Sequence, residues 1–478
     1  MEEPFVGRKR EFHELNSLLS RRTAGLVVIK GRRRIGKSRL VEVFAKDKPF
    51  YTFTGLPPTP ETTELMQREE FGRQLGEQFG FPRLKMDDWG DLFTFLAKQT
   101  AKGRVIILLD EISWMGSKDP TFLGKLKTIW DTFFKKNPKL ILILCGSVST
   151  WIEKNILSST GFFGRILHKI TLEELSLPEC HQLLQQMHFK WSPFDECMLL
   201  GLTGGIPWYI ELMDPKFPIQ DNIKRLCFNK DGIFVDEFKN IFHDLFGKRA
   251  PIYKRIVKAL TREPLQYSEL SKAINYSSGG PLSEYLDDLV TSGFIRKDHS
   301  WNFREEEESK IIHYRLRDNY LHFYLRYIEP NLAKIKRGQF ENISMTAFKG
   351  WNGIWGLQFE KLVLNNRYLI QKALKVSPED IVYDNPYFQR ATKKIPGCQI
   401  DYLIQTKSNS LIVCEIKFSR DTIKANVVQE VKEKIKRLVL PRGFSCCPVL
   451  IHIGEVSEGV VESNYFTNII NFEDLFYQ

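Results

Sequence analysis

The run Gly31-Arg-Arg-Arg-Ile-Gly-Lys-Ser38 constrains this chain more than any other. It follows an apolar strand pattern, Leu26 to Ile29, and opens a helix near Arg39. Strand, glycine-rich turn and helix start, in that order, form a phosphate-binding loop. Gly31 and Gly36 let backbone amides curl round an anion, and the helix N-terminus adds its positive dipole. Lys37 is spaced to reach terminal phosphates and Ser38 to ligate Mg²⁺, with Arg34, Ile35 and Arg39 completing the nucleotide border. The competing reading is a glycine turn with a surface lysine; the strand and helix on either side favour ATP with Mg²⁺.

A second half-site follows at Arg104 to Glu111. Val105-Ile-Ile-Leu-Leu109 has the continuous apolar run of a strand buried on both faces, and it ends in Asp110-Glu111. Acids at the C-terminal edge of a parallel strand stand where open α/β sheets bind ligands. Asp110 is expected in the Mg²⁺ shell, and Glu111 is expected to orient and deprotonate the attacking water. The strands Phe50 to Thr54 and Leu140 to Leu144 complete a parallel set. The second of these ends in Cys145-Gly146-Ser147, which brings Ser147 towards the γ-phosphate, although serine at a strand end is also ordinary turn chemistry.

With 478 residues the chain is long enough for about three domains. Lys and Arg number 69 against 58 Asp and Glu, a balance of +11 that suits an anionic partner but also serves plain solubility. The eight Cys are scattered, with no zinc spacing and no disulfide framework, which points to a reducing compartment. The start, Met1 to Arg8, has no apolar run, and no segment approaches membrane-spanning length, so a cytoplasmic protein without membrane contact is expected.

Strand and helix patterns alternate from about Gly25 to Leu172, and Leu175 to about His243 reads as helices broken by Gly204-Gly-Ile-Pro207. The texture then changes. Helices at Ala250–Leu260, Tyr267–Ile274 and Pro281–Ser292 precede two strands, Gly293–Lys297 and Ile311–Leu316. Three helices and a hairpin make a winged helix-turn-helix. One reading puts the third helix in a DNA groove with Ser278, Ser283 and Glu284 outward. The other makes the module a packing or protein-contact unit, since Glu284, Asp287, Asp288 and Glu305–Glu308 repel phosphates. Tyr314 to Tyr327 is aromatic core.

A second constellation lies in the tail. Asp401 sits in one apolar strand pattern, Gln399 to Ile404, and Glu415 and Lys417 in the next, Leu411 to Lys417. Asp on one strand and Glu-x-Lys on its neighbour can hold one or two Mg²⁺ and activate water for phosphodiester cleavage. Charges inside apolar strands need a reason; the bland reading is an exposed strand with solvated charges. Glu360, on a helix leading in, is a further candidate ligand, and Gln429 lies on a following helix. Glu415 and Lys417 share one strand face, so Asp401 must oppose position 415 or 417, not 416, if it is to share their metal. That requires an odd loop: three residues (Ser408 to Ser410) or five (Thr406 to Ser410).

These residues together resemble an archaeal-type ATPase, a STAND-related branch of AAA-like P-loop ATPases with a C-terminal nuclease-like domain. The resemblance implies that Val6, Gly7 and Arg8 border the adenine, that Pro207 in Gly204-Gly-Ile-Pro207 touches the base, and that Arg165 in Gly161-Phe-Phe-Gly-Arg165 is either an arginine finger or a structural arginine. The tail resembles the PD-(D/E)XK fold, with Ile400 where the motif's proline would stand. The expected architecture is α/β: a P-loop ATPase core with a parallel sheet at 1–174, a helical lid at 175–247, a winged helix-turn-helix with its aromatic helix at 248–328, a linker at 329–350, and a restriction-endonuclease-like α/β domain at 351–478. The expected function is an ATP-hydrolysing switch coupled to a metal-dependent nuclease. Its rival is a nucleotide-controlled regulator or scaffold whose last domain binds nucleic acid or protein without cleavage. A motor on nucleic acid is a third reading, for which no helicase signature is present. Expected partners are nucleic acid, DNA ahead of RNA, and a homo-oligomer formed through the ATPase domain.

Overall fold

A computed structural model describes residues 5–147, 149–276, 280–341, 343–345, 350–393 and 395–478. The chain divides into two compact units, one of residues 7–174 and 241–250, the other of residues 1–6, 175–240 and 251–478.

The first unit is built on five parallel strands: β1 (Gly25–Gly31), β2 (Phe50–Thr54), β3 (Val105–Asp110), β4 (Leu140–Gly146) and β5 (Ile166–Leu172), in the order β2-β3-β4-β1-β5. Leu26–Ile29, Ile106–Leu109 and Leu140–Cys145 are almost wholly buried, because helices cover both faces of the sheet. One face carries an aromatic core in which Phe71 meets Trp89 and Phe93 edge-on, at 5.3 and 5.6 Å between centroids. From β1 the chain runs to one edge of the sheet, and from β4 it runs past β1 to the other. The adjacent ends of β1 and β4 therefore open a crevice, which is where such sheets take ligands.

The second unit is made chiefly of two stretches, 175–240 and 251–478. Helices at Leu177–Gln186, Pro193–Thr203, Pro207–Glu211 and Ile219–Cys227 come first, followed by Ala250–Ala259, Tyr267–Ala273 and Gly280–Thr291. A hairpin then joins β6 (Leu265–Gln266), β7 (Ile295–Asn302) and β8 (Glu307–Leu316) in the order β6-β8-β7. Both long strands outrun the expected segments, and Ser278 lies outside the described residues. The segment expected as a linker is not one: Ile335, Phe340 and Met345 are buried, and Lys224 Nζ donates to the Glu341 carbonyl at 2.5 Å.

The chain ends in a mixed sheet of β9 (Ile381–Gln389), β10 (Cys398–Thr406), β11 (Ser410–Phe418), β12 (Ser445–Ile453) and β13 (Asn468–Asn471), ordered β13-β12-β11-β10-β9. The first three strands run antiparallel; β11, β12 and β13 are parallel, with the helix Asn426–Arg437 carrying the crossover from β11 to β12. The β7–β8 hairpin is docked on this sheet. Trp301 stacks on Tyr383 at 5.4 Å and Phe303 on Tyr387 at 4.9 Å. Trp301 Nε1 donates to Gln405 Oε1 at 2.7 Å, and Gln405 Nε2 donates to the Phe303 carbonyl at 2.9 Å. Both polar ends of a buried glutamine are thus satisfied by the hairpin.

Candidate functional site

Gly31 and Gly36 shape the loop after β1. A Cβ on Gly31 would lie 2.5 Å from the Leu172 carbonyl oxygen, and Gly36 has φ +88°. Lys37 is buried and folds its ammonium back onto the loop, donating to the Gly31 and Arg32 carbonyls at 3.1 and 2.9 Å. Arg8, itself left-handed at φ 58°, braces the loop from outside by donating to the Ile35 carbonyl at 3.1 Å and the Glu173 carbonyl at 2.8 Å. Arg32 pairs with Glu174 at 3.3 Å, Arg33 with Asp244, and Arg39 with Glu42 at 3.6 Å.

The two acids after β3 are held by neutral donors. Ser38 Oγ donates to Asp110 Oδ2 at 2.6 Å, joining the loop to β3 across the intervening strand β4. Asp110 Oδ1 accepts the Glu111 amide at 3.0 Å. Glu111 takes φ 48°, ψ 47°, an uncommon conformation for glutamate that favours a functional reading. Its Oε2 accepts from the Ser147 amide at 3.1 Å and from Ser147 Oγ at 2.9 Å. In this structure Ser147 therefore orients Glu111. A hydroxyl and a carboxylate in contact form an oxygen donor set that fits Mg²⁺. Cys145 lies fully buried behind this site, and burial, followed by the Asp110 charge, pushes its thiol well up, away from thiolate chemistry.

Arg165 is engaged within its own unit. Its Nε and Nη2 grip the two oxygens of Asp131 at 2.9 and 2.8 Å, the fork geometry of a structural pair. Asp131 went unnoticed in the sequence because nothing marks it on its helix. Pro207 starts a short helix of the other unit after Gly204 and Gly205, at φ +64° and +80°. Val6 is buried.

In the C-terminal sheet Tyr402 opposes Cys414 and Gln405 opposes Leu411, a register that continued by one step would set Asp401 against Glu415, and it leaves the five residues Thr406–Ser410 between the last pair. Asn409 supplies the left-handed residue of that turn at φ 57°. Asp401 Oδ2 accepts the Ile416 amide at 3.1 Å. Lys417 Nζ lies 3.0 Å from Glu415 Oε1 and 2.8 Å from Glu430 Oε2. Between the acids stands a residue the sequence reading missed: Lys434 Nζ lies 2.5 Å from Glu415 Oε2 and 3.4 Å from Asp401 Oδ1. Lys434 had a signal, for it continues the stripe of Val427 and Val431, both buried, on its helix. Gln429, on the same helix, bonds only Glu433, at 3.2 Å, among the described residues.

Burial, then the Glu415 charge, raises the Asp401 carboxyl above its ordinary range. Burial, then the Asp401 charge, pushes Glu360 up to about 7. Burial works against the charge of Lys417 and Lys434, but their carboxylate partners prevail and hold both ammoniums above the usual lysine range. The described residues contain no group of three or more His, Cys, Asp or Glu arranged to hold a metal. A hard cation placed here would have only Asp401 and Glu415 as carboxylate ligands, and Lys434, which pairs with both, would have to move.

Residues 5–213 match the model of a family described as an ATPase domain predominantly from Archaea. The chain is 26% identical over 362 residues to an uncharacterized protein of Methanocaldococcus jannaschii, covering 75% of this chain and 76% of that one. Among solved structures it is similar to a Walker-type ATPase of Pyrococcus abyssi, at 18% identity and TM-score 0.48, over 67% of this chain and 96% of that one. A STAND protein of Pyrococcus horikoshii with a tetratricopeptide repeat sensor is 19% identical at TM-score 0.31, over 78% of this chain and 50% of its own. The ORC1 protein of Aeropyrum pernix in complex with DNA is 13% identical at TM-score 0.36, over 70% and 95%. Residues 5–213 thus resemble an ATPase domain of the archaeal type, in the segment that carries the phosphate-binding loop. Among the described residues no helix is long and apolar enough to cross a membrane.

Proposed function

We propose that this chain is an ATP-hydrolysing switch that governs a metal-dependent phosphodiester-cleaving site in its C-terminal sheet. The observation that carries the reading is the convergence of Asp401, Glu415 and Lys417 on one sheet face, in a chain whose other unit joins Ser38 to Asp110. Lys37 and Ser38 hold the phosphates and Mg²⁺ of ATP, and Glu111, held by Ser147, takes the proton of the attacking water. At the second site a divalent cation would supply Lewis acidity and a more acidic water. Asp401 and Glu415 hold it, and Lys417 stands beside them for the developing charge. The three-helix and hairpin module, read as a winged helix, acts as a relay, because Trp301 and Phe303 of its hairpin are buried in the sheet that carries the acids. Nucleic acid, DNA ahead of RNA, is the proposed substrate, on the +11 balance and the chemistry of the acids. A homo-oligomer using Arg165 as a trans finger would first have to break the Asp131 pair.

Lys434 favours a second reading, a nucleotide-controlled regulator or scaffold that binds without cutting, since its ammonium already neutralises Asp401 and Glu415. The test is incubation of the purified chain with labelled DNA and RNA in Mg²⁺ or Mn²⁺, with and without ATP. Cleavage that disappears in Glu415→Gln and Lys417→Ala supports the nuclease. Nucleic-acid binding without cleavage under every condition gives the second reading its place.

A further inference from the structure

Three guanidinium groups gather where the β7–β8 hairpin meets the C-terminal sheet. Arg315 and Arg367 are buried, Arg296 is half-buried, and one buried carboxylate, Asp298, lies among all three. Asp298 takes Arg315 Nε on one oxygen, and its other oxygen is 3.8 Å from Arg296 Nε and 4.0 Å from Arg367 Nη2. Asp384 adds a 3.5 Å pairing to Arg367 alone. Both Nη atoms of Arg315, and Nε and Nη2 of Arg367, are buried with no hydrogen-bond partner. Asp298 Oδ1 is buried without a hydrogen-bond partner as well, but these four nitrogens outnumber it, and a surplus of buried donors favours a further acceptor. Arg296, buried beside Arg367 and Arg315, is pushed down to about 10.

Next to this cluster is a cavity of about 280 Å³, large enough for a phosphate group and part of what carries it. Arg315, Lys361 and Arg262 line it together with the carboxylates of Glu263, Glu360 and Asp401. Lys361 donates to Gln358 Oε1 at 3.3 Å and to His322 Nδ1, while His322 Nε2 bonds the Thr261 carbonyl at 3.1 Å. His322 Nδ1 thus faces both the Lys361 amine and Gln358 Oε1, the latter at 3.1 Å.

We propose that this cavity is a phosphate-binding site, in which Arg315 and Lys361 take the oxygens of a phosphate group carried by a mononucleotide or by the end of a nucleic-acid strand. Guanidinium groups favour phosphate through paired N–H donors. The site draws on the hairpin, the helix Trp351–Asn365 and the C-terminal sheet together, so occupancy would tie the hairpin to the sheet. It does not depend on cleavage and is read without divalent metal, so a failed nuclease reading would leave it standing.

Isothermal titration calorimetry on the full chain carrying Lys37→Ala tests it, because that background removes the phosphate-binding loop's own answer. The probes are inorganic phosphate, a deoxynucleoside monophosphate, and a short oligonucleotide with and without a 5′-phosphate. Saturable binding is expected, weakened about tenfold or more by Lys361→Met. A double variant, Arg315→Gln with Asp298→Asn, removes one cation and its partner together and should weaken binding similarly, its melting temperature confirming the fold. Equal affinity for the monophosphate and the 5′-phosphorylated oligonucleotide identifies a mononucleotide site; preference for the phosphorylated oligonucleotide over its unphosphorylated form identifies a strand end. No saturable binding of any probe, or unchanged affinity in Lys361→Met, overturns the proposal.

Discussion

The two carboxylate pairs of this molecule differ in what holds them. At the phosphate-binding loop Asp110 and Glu111 are held by hydroxyls and backbone amides, neutral donors that fix geometry and leave the negative charge available. In the C-terminal sheet Asp401 and Glu415 are held by the ammoniums of Lys434 and Lys417, so much of their charge is already answered. On the proposed reading the first pair would take a cation that arrives with its nucleotide, and the second would have to exchange a resident lysine for a metal before it could act. Neutral donors suit a constitutive site, whereas a charged one suits a site under control.

The largest expected effect lies at the first pair. Lys37→Ala should abolish ATP binding, while Glu111→Gln should bind ATP normally and hydrolyse it about 10²–10³-fold more slowly, measured by nucleotide titration and single-turnover hydrolysis. Normal hydrolysis by Glu111→Gln would remove the comparison's first half.

Next in size is the hairpin that meets the second pair's sheet. Trp301→Ala should cost about 3–5 kcal/mol in denaturant unfolding, through the lost ring and the Gln405 amide left unsatisfied. A cost below about 1 kcal/mol would mean that the hairpin is not held to the sheet as described.

Lys434→Met sharpens the comparison directly. Without the competing ammonium, Mn²⁺ affinity in nucleotide-free protein should rise about tenfold in calorimetry, and the metal-free chain should melt at a lower temperature. Unchanged Mn²⁺ affinity would show that Lys434 does not compete.

The smallest effect is one of pH. Glu360, raised from an ordinary 4.5 to about 7, binds its proton more tightly folded than unfolded. Its contribution to stability is full below about 4.5 and is lost as pH rises through about 7. Glu360→Gln should remove that part of the slope in metal-free unfolding curves recorded across the window; an unaltered slope would assign it to another group.

Much of the first unit was legible in the sequence because its chemistry is local. Gly31, Gly36, Lys37 and Ser38 are consecutive or nearly so, and the apolar runs ending at Asp110 and Cys145 mark strands covered on both faces. The strand parity of the second site was partly legible, since a shared metal requires an even pairing sum, and the pairs from Tyr402–Cys414 to Gln405–Leu411 have one. The linker expectation failed at Ile335, Phe340 and Met345, whose apolar side chains are spread too thinly along a polar stretch to show a period.

What the sequence determined by itself, then, is a phosphate-binding loop after one strand, two acids at the end of another, and Glu415 and Lys417 on one face of a third, because each follows from spacing and from the period of the backbone. What only the tertiary structure decided is which charge answers which. Lys434 reaches Asp401 and Glu415 from a helix, Asp131 takes Arg165, and Arg296, Arg315 and Arg367 gather round a single Asp298. Those partners lie far apart along the chain, and a Coulomb interaction depends on distance in space and on burial, neither of which is written in the spacing of residues.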